Sequence, residues 1–324
     1  MKLINLPIAL TSIAFAVQSA HASLPIEFYG KANLSINQIE QESKSPQVDE
    51  WQLNSNASRV GIKGTQILDT DSADKLEAIY KMEFEVAIDD GDNKGETFKQ
   101  RNIYAGIKGK YGTLIGGKFD TPVKKAQGKV DRFSDLPLGD IKNIMEGEDR
   151  VSNSIMYTSP AFKGFSGSFA AVPAEDSQSE GGDDGLLDGT SISINFKNDF
   201  VTAAIAHNGD IDGQDTTRLV ADFNISNTKL GIMVQTAEDA DNSSIDEDSW
   251  LISGQQKIGT YILKAQYGMT DYSNDNEDTM LVIGVDKKMS KSSKIFTYYA
   301  SVRADEITTI ADDQTFGLGY EIKF

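Results

Sequence analysis

The sequence predicts an all-β chain that folds into a 16-stranded antiparallel transmembrane β-barrel. Segments that alternate apolar and polar residues recur about sixteen times after residue 25, and this alternation is the period of a strand. Short connectors alternate with longer acidic ones, as in membrane barrels with short turns on one side and long loops on the other. An even number of strands lets both chain ends meet on one side and closes the sheet, which removes its exposed edges.

Residues 1–22 are predicted to be a secretory signal peptide. They contain a basic Lys2, an apolar run over residues 6–17 and a small-x-small ending, with cleavage expected before Ser23. The apolar run is too short for a transmembrane helix, which needs roughly 20 residues. Because no linker or longer repeat interrupts the rest of the chain, residues 23–324 are predicted to form one barrel domain.

The composition argues against several classes of function. The chain has 49 acidic and 31 basic residues and a net charge of −18, whereas nucleic-acid binding needs a basic face. It has no cysteine, which removes disulfides, thiolate catalysis and cysteine-ligated metals. Acidic stretches near Asp89 and Gly181 do not keep the spacing of a calcium loop. The sequence therefore predicts neither a metal site nor a cofactor.

The predicted strands have one apolar and one polar face. In the first of them, PIEFYGKANLSINQ, Phe28 and Leu34 fall on one face and Lys31 and Asn33 on the other. The strands are expected to start near residues 25, 52, 74, 97, 111, 150, 164, 189, 199, 214, 228, 248, 260, 277, 293 and 313. A barrel of this size with a polar inner face encloses an aqueous channel, which a soluble β-sandwich would not.

Aromatic residues occur toward the strand ends of the apolar face, as the interface girdles of membrane barrels do. The predicted girdle residues are Phe28, Phe84, Tyr104, Tyr157, Phe196, Tyr261 and Tyr320. Their placement favours a membrane barrel over a soluble sandwich or adhesin.

One long segment interrupts the alternation, from Phe119 to Arg150 between the fifth and sixth predicted strands. It has no strand period and carries charges of both signs. Structureless connections longer than about 12 to 15 residues are uncommon in compact folds and are usually functional or disordered. The segment is therefore a candidate functional element.

The local motifs, taken in order, resemble the general bacterial porins of Gram-negative outer membranes. The motifs are FYGKANLS, SRVGIKG, RNIYAGIKGKYGTLIGGKFDTP and EDRVSNSIMYTSPAFKGFSGS, together with the terminal Phe324. The resemblance covers the chain from residue 23 to its end. It implies a trimer of 16-stranded, water-filled barrels in the outer membrane, in contact with its lipid and lipopolysaccharide. It also implies that the third external loop, here Phe119 to Arg150, folds inward and constricts the pore.

The resemblance further implies charged residues on both sides of that constriction. The acidic candidates on the loop are Asp131, Asp135 and Asp140, and the basic candidates on the facing wall are Lys31, Arg59, Arg101 and Arg150. Strand alternation puts three of the basic residues on the polar face, whereas Arg101 shares its face with the apolar Ile103 and Ile107. Opposite charges across a narrow opening would orient water and dipolar solutes and disfavour apolar ones.

These features predict a passive channel for ions and small hydrophilic solutes. A substrate-specific channel, for instance for an oligosaccharide, would need an aromatic track along the lumen. Strand alternation predicts that Tyr299 faces inward, but Tyr299 and Phe133 of the long segment are too few for such a track. A non-conducting adhesion or structural barrel is the other alternative. An enzyme is not predicted, because His207 is the only histidine after the leader and no nucleophile motif accompanies it. The acidic loops predict a mild preference for cations.

Overall fold

The computed structural model describes residues 26–69, 75–89, 97–173, 185–240, 246–306 and 309–324. The predicted signal peptide and most of the acidic stretch from residue 175 to 188 lie outside these ranges. In the described part of the chain, no helix is both long and apolar enough to cross a membrane.

The described residues form one antiparallel sheet with two short helical segments. The strands are β1 (Ile26–Gln41), β2 (Val48–Ser55), β3 (Arg59–Ile67), β4 (Glu77–Val86), β5 (Phe98–Gly109), β6 (Gly112–Asp120), β7 (Arg150–Thr158), β8 (Phe165–Val172), β9 (Gly189–Lys197), β10 (Val201–Ile211), β11 (Gln214–Ile225), β12 (Thr228–Asp239), β13 (Glu247–Ile258), β14 (Tyr261–Tyr272), β15 (Glu277–Lys288), β16 (Ser293–Glu306) and β17 (Thr309–Lys323). Helix α1 (Pro122–Ala126) and a 3-10 helix (Ile141–Asn143) lie between β6 and β7.

The sheet closes on itself as a 16-stranded barrel, as predicted. From β3 to β17 each strand pairs with its neighbours in sequence, and β1 pairs with β17 from Lys31↔Lys323 to Gln41↔Asp313. On its other side β1 pairs with β3 through its first half and with β2 through its second half, so β2 and β3 together occupy one strand of the barrel. Ala57, at a φ of 47°, lies in the interruption between them. From β4 onward, the predicted strand starts agree with the observed ones to within four residues.

The two faces of the sheet differ as the alternation predicts. In β12, Leu230, Ile232 and Val234 are 43–47% exposed, whereas the alternating Met233 and Gln235 are buried. Large exposed apolar side chains recur in this way around the described barrel, and they form the face that meets lipid. We call the opposite face the inner face.

A β-bulge in β5 reconciles the inward placement of Arg101 with the alternation of its strand. Met82 of β4 pairs with Ile103 and Phe84 with Gln100, so Arg101 and Asn102 together oppose Glu83. A bulge adds one residue to a strand and shifts the alternation beyond it. The shift turns Arg101 inward despite its apolar neighbours in sequence.

The same bulge puts Tyr104 on the inner face, where it packs beside a buried cluster around Phe119, so its assignment to the outer girdle was wrong. The inward assignment of Tyr299 was also wrong. The residues on either side of it, Tyr298 and Ala300, are the buried ones in β16.

Candidate functional site

The segment from residue 121 to 149 packs on the inner face of β11 to β16. Its apolar side chains form one buried cluster with apolar side chains of those strands. The segment contributes Val130, Phe133, Leu136, Leu138, Ile141, Ile144 and Met145, and the strands contribute Val220, Met233, Leu251, Met280, Val282, Phe296, Tyr298 and Ala300. Each large side chain buried in this way contributes about 1.5 to 3 kcal/mol, so the cluster is a substantial attachment.

Glycines on the inner face allow the close approach of this segment. A Cβ atom at Gly231 would lie 2.9 Å from a methyl group of Val130, and one at Gly268 would lie 2.8 Å from Ile144. Real Cβ atoms do not come this close to a neighbour, so a side chain at either position would push the segment away. Here glycine provides space for a second layer of chain.

Hydrogen bonds from the strands satisfy the backbone of the segment. The Ser253 hydroxyl donates to the Val130 carbonyl at 2.6 Å, and the Tyr298 hydroxyl donates to the Pro137 carbonyl at 3.1 Å. The Gln266 side chain accepts from the Arg132 N–H at 2.9 Å. Because irregular backbone cannot stay buried unpaired, these bonds allow the irregular parts of the segment to be packed.

Arg218 of β11 holds the end of the segment. Its guanidinium is fully buried and lies 2.7 Å from the Glu148 carboxylate, and it also donates to the Glu146 carbonyl at 2.8 Å. Gln235 orients it by accepting from its Nε at 2.7 Å. Removal of one partner of a buried ion pair strongly destabilises the folded protein, because the other charge stays buried. Arg218 is therefore an anchor for this end of the segment.

Asp135 joins the segment to the opposite side of the barrel. Its carboxylate lies 2.7 Å from Lys31 Nζ of β1 and 3.2 Å from Arg59 of β3. Burial by itself would raise the pKa of Asp135, but the adjacent Lys31 and Arg59, with Arg101 farther away, lower it overall. The structure thus brings three of the predicted site residues, Lys31, Arg59 and Asp135, into one contact.

Asp131 and Asp140 make their contacts within the segment instead. Asp131 accepts the backbone N–H groups of Phe133 at 2.9 Å and Ile141 at 3.3 Å, and Asp140 accepts those of Asp135 at 2.8 Å and Lys142 at 3.0 Å. Burial raises the pKa of Asp131 well above its ordinary value, and the nearby Asp140 carboxylate adds to the effect. These contacts give both residues a part in shaping the loop, and their role as constriction charges stays a prediction.

The two remaining basic candidates have separate partners. Arg101 pairs with Glu83 at 3.1 Å and with Glu85 at 2.5 Å. Arg150 pairs with Asp120 at 2.7 Å. Arg101 acts on Asp135 through its charge, whereas Arg150 lies apart at the junction of β6 and β7. The inner face of β1 to β7 is therefore lined by charges of both signs, and the apolar cluster lies on the other side of the segment.

Sequence reasoning did not identify several charged side chains that hold the segment. They are Arg218 with Glu148, Arg132 of the segment with Asp222 of β11, and Lys264 with Asp286 and Lys294. Strand alternation could have found one of them, because Arg218 shares its face with Thr216 and Val220 in β11. Which charge on the segment it would meet depends on the path of an irregular loop, for which the sequence has no periodic signal.

Two carboxylates at the end of the segment resist ionisation. Burial raises the pKa of Glu148, although Arg218 and Lys124 oppose the effect. Burial and the neighbouring Asp212 raise the pKa of Asp149 to about 6. Asp149 also accepts a hydrogen bond from the Asn208 side chain of β10 at 3.4 Å. Asp149, at the junction between the segment and β7, is therefore expected to change its charge near pH 6.

The chain resembles known outer-membrane proteins in sequence. It is 32% identical to the major outer membrane protein P.IA of Neisseria meningitidis, over 38% of this chain and 30% of that protein's length. It is 24% identical to outer membrane porin protein 32 of Delftia acidovorans, over 78% of this chain and 76% of that protein. The first of these matches covers less than a third of its relative.

The fold is that of solved porins. The anion-selective porin from Comamonas acidovorans superposes with a TM-score of 0.77 at 17% identity, covering 92% of this chain and 99% of that one. A trimer form of OmpT from Vibrio cholerae superposes with a TM-score of 0.66 at 17% identity, again over 92% and 99%. The family model described as Gram-negative porin matches residues 9–307. The chain therefore belongs to the Gram-negative porin family of outer-membrane β-barrels.

Proposed function

We propose that this protein is a water-filled channel for passive diffusion of ions and small hydrophilic solutes across the outer membrane. The observation that carries the proposal is the attachment of the segment from residue 121 to 149 to one side of the inner face. Apolar packing on β11 to β16 leaves the charged inner face of β1 to β7 for water and solutes. A barrel of about sixteen strands is too wide for side chains alone to fill.

In this proposal the segment folds inward and narrows the channel. Its contacts with Arg218 on one side and with Lys31 and Arg59 on the other support a position across the barrel. Solutes pass between the segment and the wall, so the segment sets the size limit. The paired charges favour dipolar solutes, because bringing an apolar solute past them displaces ordered water without replacing its interactions.

Planar-bilayer recording of the purified protein tests the channel. We expect discrete conductance steps that scale with the bulk conductivity of potassium chloride, lithium chloride and potassium acetate, because a hydrated path conducts ions much as the solution does. The protein unfolded by heating in detergent serves as the control. A barrel that inserts without conducting would contradict the proposal and favour the adhesion or structural alternative.

The substrate-specific alternative predicts a different current record. A dedicated oligosaccharide channel would show current block that saturates with the sugar, whereas a diffusion channel would show only a decrease in conductance from added volume. The Delftia relative is named a porin, this chain belongs to the porin family, and porins are channels. We infer that this chain likewise has no catalytic turnover.

We infer a mild preference for cations. The net charge of −18 concentrates cations at the channel mouth, while at the constriction Asp135 offsets part of the charge of Lys31 and Arg59. Loop charges are screened beyond roughly 8 Å at physiological salt, so the preference is expected to be strongest at low ionic strength. The reversal potential in a potassium chloride gradient measures it.

We also propose that the chain is exported with loss of residues 1–22 and assembles as a homotrimer in contact with lipid and lipopolysaccharide. Solved porins of this fold include the trimer form of OmpT, which supports the trimer. Intact-mass measurement of the protein from outer membranes is expected to give a chain beginning at Ser23. Mass measurement on a native oligomer in detergent tests the threefold assembly.

A further inference from the structure

A second feature of the inner face has no role in the constriction. An open cavity of about 520 Å³ lies along β1, β3, β4 and β5, close to the end of the barrel where both chain ends lie. Glu27 of β1 lies four residues before Lys31, or about 13 Å along the strand, so the cavity is separate from the Asp135 contact. Its volume is within the range of small-molecule sites, about 300 to 1,000 Å³.

The floor of this cavity is apolar, which is unusual for the inner face of a hydrated barrel. Ile79 and Tyr104 line it and remain partly exposed, and they pack on a buried cluster that contains Ile115 and Phe119. The apolar cluster on β11 to β16 is covered by the segment, whereas Ile79 and Tyr104 keep part of their surface exposed. A solute with a flat apolar body would gain by displacing water from them.

Two lysines lie near the floor, and Lys63 is the one that lines the cavity. Lys63 and Lys81 lie across the Tyr29 ring, with Nζ 5.2 Å and 5.8 Å from its centroid. Lys81 is held by Glu83, which is almost fully buried and also pairs with Arg101. Lys63 pairs at 3.0 Å only with Glu27 among the described residues, and both side chains are about half exposed or more.

The difference between the two lysines determines the charge of the ligand. An exposed ion pair has little net stability, so a carboxylate in solution can replace Glu27 as the partner of Lys63. The pair of Lys81 and Glu83 is enclosed and would not open at comparable cost. One available ammonium group beside an apolar, aromatic floor matches a ligand with one negative charge and one ring.

We propose that this cavity is a binding site for small aromatic monocarboxylates on their way through the channel. The carboxylate lies at Lys63, and the ring lies on Tyr104 and Ile79. This inference rests on the proposed channel function and adds a solute class to it. A ligand of nine non-hydrogen atoms at ordinary ligand efficiency binds with a dissociation constant on the order of 10 mM, which slows a passing solute without trapping it.

Benzoate is the probe, with acetate and cyclohexanecarboxylate as matched anions at equal ionic strength. We expect benzoate to reduce the single-channel current in a saturable way, acetate to have no such effect and cyclohexanecarboxylate to act several-fold more weakly. Conductance in plain potassium chloride reports channel function separately. A channel that conducts normally but treats the three anions alike overturns this inference and leaves the channel proposal intact.

Four variants tie the effect to the cavity. Lys63→Gln and Tyr104→Ser are each expected to weaken the benzoate block at least roughly fivefold, the loss expected for one contact of about 1 kcal/mol, whereas Tyr104→Phe retains it. Lys108→Gln is the control, because Lys108 is an exposed lysine of β5 that pairs with Glu77 at 3.9 Å and does not line the cavity. Equal weakening by Lys108→Gln, or no weakening by Lys63→Gln, would overturn the assigned site.

Discussion

The two sides of the segment between β6 and β7 are held by different forces. On β11 to β16 the contact is apolar and closely packed, with Met233 and Leu251 fully buried. Toward β1 and β3 the contact is one carboxylate, Asp135, with two basic side chains. Apolar packing excludes water and seals a gap, whereas charged groups hold water around them. In the proposed channel, the open path therefore follows the charged wall and not the centre of the barrel.

Removal of the segment should have the largest effect. Deletion of residues 128–147 takes away both contacts and the obstruction itself, so we expect single-channel conductance to rise roughly twofold or more because the open cross-section increases. Larger sugars should enter liposomes in a swelling assay. A correctly folded deletion variant with unchanged conductance would show that the segment lies outside the conducting path.

Loss of Arg218, which anchors the segment on the side of β11 to β16, should have the second largest effect. Arg218→Met leaves the buried Glu148 with only the more distant Lys124, at 3.8 Å, so we expect a cost of about 3 kcal/mol in the attachment of the segment. The released segment should produce larger current fluctuations and a higher mean conductance in bilayer recordings.

The matched control for this anchor is Arg303→Met. Arg303 pairs with Asp305 at 3.3 Å, but both side chains are nearly half exposed, so the pair should contribute little. Equal effects of Arg218→Met and Arg303→Met would contradict the role of Arg218 as an anchor.

The sequence predicts the barrel better than it predicts these attachments. The alternation along each strand determines which residues meet lipid, and it placed the strand starts from β4 to β17 within four residues. It failed at Tyr104, because a bulge after Gln100 shifts the faces and leaves no signal in a single sequence. In β16 the prediction placed Tyr299 on the inner face, but the residue there is its neighbour Tyr298. An error of one residue along a strand reverses the assigned face.

The apolar contact of the segment does leave a signal in the sequence. Strands that face lipid on one side and water on the other alternate strictly, whereas β15 carries the unbroken apolar run Met280, Leu281, Val282 and Ile283. Such a run indicates burial on both faces. It shows that something apolar covers the inner face there, although the sequence does not show that the cover is the segment containing Phe133.

A charge reversal on the open side should have a moderate effect. Arg59→Glu removes one positive charge beside Asp135 and adds a negative one, so we expect the reversal potential in a potassium chloride gradient to move toward cation selectivity by on the order of 10 mV. Lys287→Glu makes the same change of charge beside Tyr261 on the lipid-facing side of β15. The proposal requires a smaller shift for Lys287→Glu, and equal shifts would mean that overall charge sets selectivity.

The smallest expected effect is on stability and depends on pH. The pKa of Asp149 is raised to about 6 in the folded protein, mainly by burial and the neighbouring Asp212. Between its ordinary value and 6, the folded chain therefore binds a proton that the unfolded chain does not, so stability should rise as the pH falls from 7 to 5. Glu148, whose pKa is also raised, acts in the same direction. Asp135 opposes this trend only at lower pH, because its pKa is lowered.

Asp149→Asn isolates the contribution of that group. The amide retains an acceptor for Asn208 but carries no charge, so the variant should be more stable than the unmodified protein at pH 7.5 and should lose part of the gain at pH 5. The midpoint of heat-induced unfolding in detergent measures the stability of the variant at pH 7.5 and at pH 5. Asp246→Asn, at an exposed loop carboxylate, is the control. If stability instead falls steadily from pH 7.5 to 5 in the unmodified protein, groups with lowered pKa values dominate, and the junction at Asp149 does not control the pH response.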